Sequence, residues 1–131
     1  NYMFQMEMLK KEETSMLFML IVKASKNSEG GNLPNPELRE AMDKYNQELV
    51  KAGVRVMAKG LHPSSNGMRI SFKKPGEKPE ITYGPFPETN ELVAGFILID
   101  VKSKEKAIEW AMRMPDPQGN GEGQIELRQV Y

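Results

Sequence analysis

His62 is the residue best suited to acid–base chemistry, because it is the only histidine in the chain and imidazole titrates close to neutral pH. It precedes Pro63 at the end of a predicted strand. No second histidine and no cysteine accompanies it at the spacing of a metal site or a catalytic triad. We therefore expect no metal, and two interpretations of His62 stay open: an acid–base or binding group, or a structural side chain hydrogen-bonded to a nearby turn.

A second candidate region begins at Tyr83, where Gly84-Pro85 predicts a tight turn and Phe86 an anchor in the core. A phenol with a pKa of ~10 is mostly protonated at neutral pH, so Tyr83 would donate a hydrogen bond. Glu88 and Thr89 follow the turn and are expected in the same cleft as the histidine. The alternative is a structural role for the whole segment, in which Pro87 to Asn90 forms a solvated connection into the next strand.

The sequence predicts no cofactor and neither a nucleic-acid nor a membrane partner. The glycines of Gly119–Gly123 alternate, but the strand before and the helix after them that a dinucleotide site needs are missing, so we predict a loop. Eighteen basic and eighteen acidic residues cancel, which does not favour binding to phosphates or anionic lipids. The longest apolar run, Met16–Val22, is shorter than the about 20 residues that cross a bilayer. With no cysteine for disulfides, we expect a cytoplasmic protein.

The elements that position these candidates begin with Met16–Val22, whose continuous apolar character predicts a central strand. Ser25–Asn35 has the composition of a loop. Asn35 then supplies an N-cap and Pro36 the first helical position, and apolar residues recur at helical spacing until Gly53. The sequence therefore predicts a strand, a loop and a helix.

Two alternating segments, Val54–Lys59 and Met68–Lys73, predict half-buried strands joined as a hairpin across His62–Gly67. Glu80–Tyr83 predicts a short strand, and Ala94–Val101 a second central strand. A helix capped by Ser103 follows, with Trp110 at its margin and an inward face made of Ala107, Ile108, Ala111 and Met114. The last predicted strand contains the alternating residues Ile125 and Leu127.

This order of elements predicts an α+β ferredoxin-like fold, an antiparallel sheet with two helices on one face. The uncovered face leads us to expect a homodimer. We place the domain at residues 16–131 and treat residues 1–15 as an extension, either native or left by cloning, with an optional helical turn at Met6–Lys11.

Four strings of residues, in order along the chain, resemble signatures of the YCII-related (DGPF-domain) family: Gly60-Leu61-His62-Pro63-Ser64-Ser65, Thr82-Tyr83-Gly84-Pro85-Phe86-Pro87-Glu88-Thr89-Asn90-Glu91-Leu92, Ala94-Gly95-Phe96 and Ile108-Glu109-Trp110-Ala111. The resemblance covers about Met16 to Tyr131. It implies a dimeric α/β-barrel with a cleft between protomers, proposed in the family to bind small molecules or support acid–base reactions.

Two positions depart from the family pattern. Tyr83 stands where the family has the aspartate of Asp-Gly-Pro-Phe, and Asn90 where a lysine is common. Both changes remove charge, so a His–Asp dyad that uses the first position is not available here.

The resemblance and the residues together suggest that a small polar organic molecule binds in a cleft at the dimer, with acid–base catalysis left open. His62 and Tyr83 are the catalytic candidates, and the expected ligand contacts are Pro63, Gly84, Pro85, Phe86, Glu88 and Thr89. The alternatives are a non-catalytic dimeric protein-interaction or regulatory module, and a remnant of a once-active enzyme.

Overall fold

The computed structural model describes residues 2–3 and 15–131. Its helices and strands, in chain order, are β1 (Met16–Lys23), α1 (Lys26–Glu29), α2 (Pro36–Lys51), β2 (Arg55–Gly60), β3 (Met68–Ser71), β4 (Glu80–Tyr83), β5 (Val93–Val101), α3 (Lys104–Arg113) and β6 (Ile125–Gln129). Short 3-10 turns occupy Ser64–Asn66 and Thr89–Glu91. The helical turn considered for residues 6–11 lies outside the described residues.

Four strands form one antiparallel sheet in the order β2-β5-β1-β6. Leu20 of β1 lies opposite Ile97 of β5 on one side and Leu127 of β6 on the other. The continuous apolar runs that predicted central strands are β1 and β5. Each of these two strands has a neighbouring strand on both edges, so both lie at the centre of the sheet. With α2 and α3 packed on one face, the fold is α+β and ferredoxin-like, as predicted.

The hydrophobic core lies between the helices and one face of the sheet. Alternate residues of the central strands point into it, and Leu20 and Ile99 are fully buried. From the helices come Tyr45 and Leu49 of α2 and Ala107 of α3. The alternation of buried and half-buried residues along β1 and β5 therefore separates a core face from an open face.

Helix α2 begins and ends where its sequence signals predicted. The Asn35 side chain accepts a hydrogen bond from the Leu38 backbone N–H at 2.8 Å, and Pro36 occupies the first turn. Gly53 follows the helix with φ of 72°, a left-handed conformation that side chains disfavour. These local signals set the two ends of the helix, and Tyr45 and Leu49 pack it against the sheet.

The predicted loop at Ser25–Asn35 contains a short helix, α1, which the sequence reading missed. Ser25 caps it, since its side chain accepts from the Ser28 N–H at 3.1 Å and the Ser28 hydroxyl lies 2.8 Å from the Ser25 N–H. Such a reciprocal capping box stabilises a single turn that apolar periodicity cannot reveal. This turn places Glu29 where its carboxylate accepts a hydrogen bond from the Ser64 N–H, 35 positions later in the chain.

The predicted hairpin across His62–Gly67 is wrong in its pairing. Strand β2 pairs with β5, while β3 pairs with β4 as a separate two-stranded ribbon. The chain changes direction between β2 and β3 at the 3-10 turn Ser64–Asn66. A hydrogen bond of 3.0 Å from the Gly84 N–H to the Gly67 carbonyl holds the ribbon there. Alternation identified each strand correctly but carries no information about its partner.

Several side chains lie elsewhere than predicted, including Ile70 and Phe72, which are exposed. Val56 is 53% exposed, because the pairing of β2 with β5 shifts register between Arg55 and Met57. On α3, Ile108 is largely exposed, whereas Trp110 packs against the core. The Trp110 ring meets the Tyr45 ring edge-on at 6.3 Å between centroids, which gives the indole a buried partner.

The sheet face away from the helices is apolar along its centre. Met19 lies opposite Leu98 and Ile21 opposite Phe96, and all four side chains are only half-buried. In residues 2–3 and 15–131, no helix has both the length and the apolar composition needed to cross a membrane. A strip of this kind in a single chain is a surface available for association.

Candidate functional site

A cavity of about 320 Å³ opens beside His62, where β2 ends and β5 begins. Its walls combine apolar side chains with a few polar groups, and they comprise Glu29, Leu61, His62, Pro63, Ser64, Asn66, Gly67, Met68, Phe86, Leu92 and Val93. A volume near 300 Å³ is at the small end of the range of ligand sites in proteins. The cavity can therefore hold a small organic molecule.

One wall of the cavity is organised by Ser64, which is 9% exposed. Its backbone N–H donates to the Glu29 carboxylate at 2.9 Å, and its hydroxyl donates to the other oxygen of the same carboxylate. The hydroxyl oxygen also accepts a hydrogen bond from the Phe86 backbone N–H at 3.0 Å. The chain Glu29–Ser64–Phe86 thus ties α1, the 3-10 turn and the Gly84-Pro85 segment together.

Gly84 is required by close packing at this wall. A Cβ atom on residue 84 would lie 1.8 Å from the Ser64 carbonyl oxygen, far inside any real contact. The Gly84 N–H donates to the Gly67 carbonyl, and the Gly84-Pro85 peptide bond is cis. The absent side chain therefore allows the segment that carries Phe86 to lie directly against the Ser64 turn.

The rim of the cavity is formed by His62, whose side chain is exposed. The backbone before it is anchored, because the Leu61 N–H donates to the Ala94 carbonyl of the neighbouring strand at 2.7 Å. An exposed imidazole at a rim can accept or donate a hydrogen bond. The Asn66 amide lines the same cavity and adds a second polar group.

The structure brings together three of the eight residues predicted from the sequence: His62, Pro63 and Phe86 line the same cavity. Gly84 supports the wall from behind through Ser64. The described cavity lining does not include the other four, which are Tyr83, Pro85, Glu88 and Thr89. Tyr83 lies instead at the end of β4 and is 69% exposed.

The sequence did not predict Glu29 and Ser64, which build the wall of the cavity, nor the lining residues Leu61, Asn66, Gly67, Met68, Leu92 and Val93. The contact between Glu29 and Ser64 spans 35 positions in the chain, and no local pattern encodes such a pairing. The only available signal was Ser25-x-x-Ser28, a capping pattern that would have placed Glu29 on a helical turn.

A larger cavity, about 830 Å³, lies between α2 and the edge strand β2. It is mainly apolar, and three cations, Lys51, Arg55 and Lys59, stand among its lining residues beside a single acid, Asp43. The Asn46 side-chain oxygen is buried there without a hydrogen-bond partner among the described atoms. The groove could bind ligands in place of the His62 cavity.

Among the described residues, two ionisable groups have clearly shifted pKa values, and both lie outside the His62 cavity. Burial raises the pKa of Tyr45 to about 12, an effect that Arg113 opposes and Glu48 reinforces. Backbone N–H groups, chiefly that of Gln118, lower the pKa of Asp116. In the described part of the chain no three His, Cys, Asp or Glu side chains are grouped as metal ligands would be.

Comparison with known proteins identifies the family. The sequence profile of the YCII-related domain matches residues 16–131, well over half of the chain. A search of curated proteins found no match. Since the matched range contains every strand and helix described above, the chain belongs to the YCII-related domain family.

Proposed function

We propose that this YCII-related protein binds a small polar organic molecule in the cavity beside His62. The observation that carries the proposal is the composition of the cavity wall. Apolar surfaces from Leu61, Phe86 and Leu92 surround the space, and His62 and Asn66 supply hydrogen-bonding groups. A mostly apolar cavity with a few polar groups is the usual form of a small-molecule site.

The chemistry open to the bound molecule is hydrogen-bonded recognition or a proton transfer to or from His62. Glu29 already accepts two hydrogen bonds from Ser64, so it acts as a support of the wall. Tyr83, without a place in the cavity lining, enters the site only if a ligand or a second copy of the chain reaches it. Ligand binding is therefore the core of the proposal, and catalysis an extension of it.

We also propose that the binding cleft lies at a homodimer interface. The apolar strip on the open sheet face, with Met19 and Leu98 at its centre, supports association of two copies. A formal net charge of zero supports it too, since two copies do not repel each other as wholes.

Thermal-shift screening against polar organic metabolites tests ligand binding, because a molecule that binds only the folded chain raises Tm. At ten times its Kd, such a molecule adds about 1.4 kcal/mol to the free energy of unfolding. We expect His62→Ala to weaken a true ligand about tenfold through the loss of one hydrogen bond. Lys51→Ala is the matched control in the competing groove, and a ligand sensitive to Lys51 but not to His62 contradicts the proposal.

A second candidate function is a non-catalytic dimeric interaction or regulatory module. The observation in its favour is the amount of exposed apolar surface outside the cavity, with Phe72 82% and Ile70 52% exposed. A metabolite screen without any hit, on a chain that sediments as a dimer, would favour this function over small-molecule binding.

A further inference from the structure

The β3–β4 ribbon, residues 68–83, has one face made of apolar side chains. Cross-strand pairing places Met68 opposite Tyr83 and Ile70 opposite Ile81, and Phe72 follows directly after β3. Their exposed fractions are high: Met68 52%, Ile70 52%, Phe72 82%, Ile81 51% and Tyr83 69%. Since residues paired across an antiparallel ladder share a face, the four paired side chains form one continuous apolar surface, and Phe72 extends the strand by one residue at its end.

The other face of the ribbon is polar, and its Arg69 side chain contacts its own domain. The Arg69 guanidinium lies 3.9 Å from the centroid of the Phe86 ring, in the wall of the His62 cavity. Arg69 pairs with Thr82, and Ser71 pairs with Glu80. An amphipathic strand in a soluble monomer normally buries its apolar face, whereas the apolar face of this ribbon is exposed.

This arrangement is costly for a chain on its own. A two-stranded ribbon is marginally stable in water unless its apolar face packs against something. An aromatic side chain has a surface of about 150–250 Å². With the exposed fractions given above, the five residues together expose on the order of 600 Å² of apolar surface. That equals the largest apolar patches found on typical monomers, and patches of this size usually mark interaction sites.

We infer that the apolar face of the β3–β4 ribbon is buried against a second copy of this chain. The exposed area approaches the about 800 Å² per partner of a stable interface, and the open sheet face supplies more apolar surface on the same chain. Residues 68–83 carry four basic and two acidic side chains, and Lys73 pairs with Glu80 at 2.7 Å, so the apolar area rather than its small net charge is the main feature of the ribbon. In a two-fold symmetric dimer the same surface of each chain lies in the interface, so the apolar faces of both ribbons would be buried.

The ribbon also connects the interface to the His62 cavity. Met68 belongs both to the apolar face of the ribbon and to the lining of the cavity. A second copy packed on the ribbon would therefore border the mouth of the cavity and bring Tyr83 into a buried position. This assignment specifies the interface of the homodimer proposed above, whereas ligand binding at His62 is tested separately.

The absence of cysteine from the chain gives a direct test. Phe72→Cys introduces a single thiol on the ribbon, and Met112→Cys introduces the matched control on α3, where Met112 is 80% exposed. Alkylation of each thiol is followed in the full chain from 0.1 to 100 µM, concentrations of roughly the range over which moderate dimers dissociate. Because alkylation requires access to the thiol, we expect the rate for Phe72→Cys to fall about tenfold with concentration while the rate for Met112→Cys stays constant.

Sedimentation of the same variants makes every outcome informative. A monomeric Phe72→Cys beside a dimeric Met112→Cys supports the proposal, because the ribbon substitution alone has broken the dimer. A dimer whose Phe72→Cys thiol stays equally reactive at all concentrations overturns the ribbon interface but leaves the homodimer intact. A wild-type chain that is monomeric at 100 µM overturns both, and the face then belongs to another protein or to the amino-terminal segment of the same chain.

Discussion

Replacing Ser64 by alanine should destabilise the fold more than the loss of one surface hydroxyl normally does. The Ser64 hydroxyl donates to the Glu29 carboxylate and accepts from the Phe86 N–H at 3.0 Å. A hydrogen bond to a charged group contributes about 1.5–3 kcal/mol, and an unpaired N–H costs a further 1–3 kcal/mol or so when it is buried. Phe86 is half-buried, so we expect Ser64→Ala to lower the free energy of unfolding by about 2–4 kcal/mol.

Urea denaturation followed by the fluorescence of Trp110, the only tryptophan, measures this change. Ser65→Ala is the matched control, because Ser65 is exposed and its hydroxyl makes only a long contact, 3.4 Å, with the Asn66 side chain. We expect the control to change stability by less than about 0.5 kcal/mol.

A double-mutant cycle with Glu29→Ala separates the hydrogen bond from the rest of the effect. We expect a coupling energy of about 1 kcal/mol or more between the two sites, because their side chains are in direct contact. Equal stabilities for Ser64→Ala and Ser65→Ala, or additive effects in the cycle, would refute the view that Ser64 organises the cavity wall.

Two further predictions concern Tyr45 and Gly84. The pKa of Tyr45 is raised to about 12, so the folded chain holds the phenol proton more tightly than the unfolded chain does. The contribution of this proton to the free energy of unfolding is complete below pH ~10. It falls by about 3 kcal/mol as the pH rises from 10 to 12. Tyr45→Phe should remove that part of the pH dependence of stability, measured by urea denaturation. At neutral pH the substitution should cost about 1 kcal/mol, because the Trp110 carbonyl loses its hydrogen-bond donor at 2.6 Å. An unchanged pH profile above pH 10 would contradict the burial argument. Gly84→Ala should cost at least about 3 kcal/mol, since its Cβ would meet the Ser64 carbonyl oxygen. Gly76→Ala, at φ of 77° with open space around it, should cost only about 1–2 kcal/mol, and equal melting temperatures for the two variants would argue against the close packing.

The parts of the fold that the sequence predicted are those with complete local signals. Helix α2 has its cap, its apolar stripe and its final glycine in one continuous segment, and β1 and β5 are unbroken apolar runs. Strand pairing was not predictable in this way, because alternation in Met68–Lys73 fits any neighbour equally well. The same alternation implied burial, whereas Ile70 and Phe72 are exposed in the isolated chain.

The candidate site was predictable only in part, for a related reason. Residue type alone singled out His62, and the turn after Tyr83 led to Phe86. Ser64 and Glu29 act through contacts between distant segments, which a single sequence does not reveal. The roles of Tyr83, Glu88 and Thr89 in binding stay predictions, since these residues are outside the described cavity lining.

The most direct test of ligand binding beside His62 is nuclear magnetic resonance of the His62 imidazole, which has no competing signal because the chain contains one histidine. A metabolite that raises Tm in the screen is titrated into the labelled protein and into the Lys51→Ala variant. We predict saturable shifts of the imidazole resonances in both, with the Kd obtained from thermal shift. A metabolite that raises Tm but leaves the imidazole resonances unchanged would contradict binding at His62, and loss of its effect in Lys51→Ala would assign it to the groove between α2 and β2.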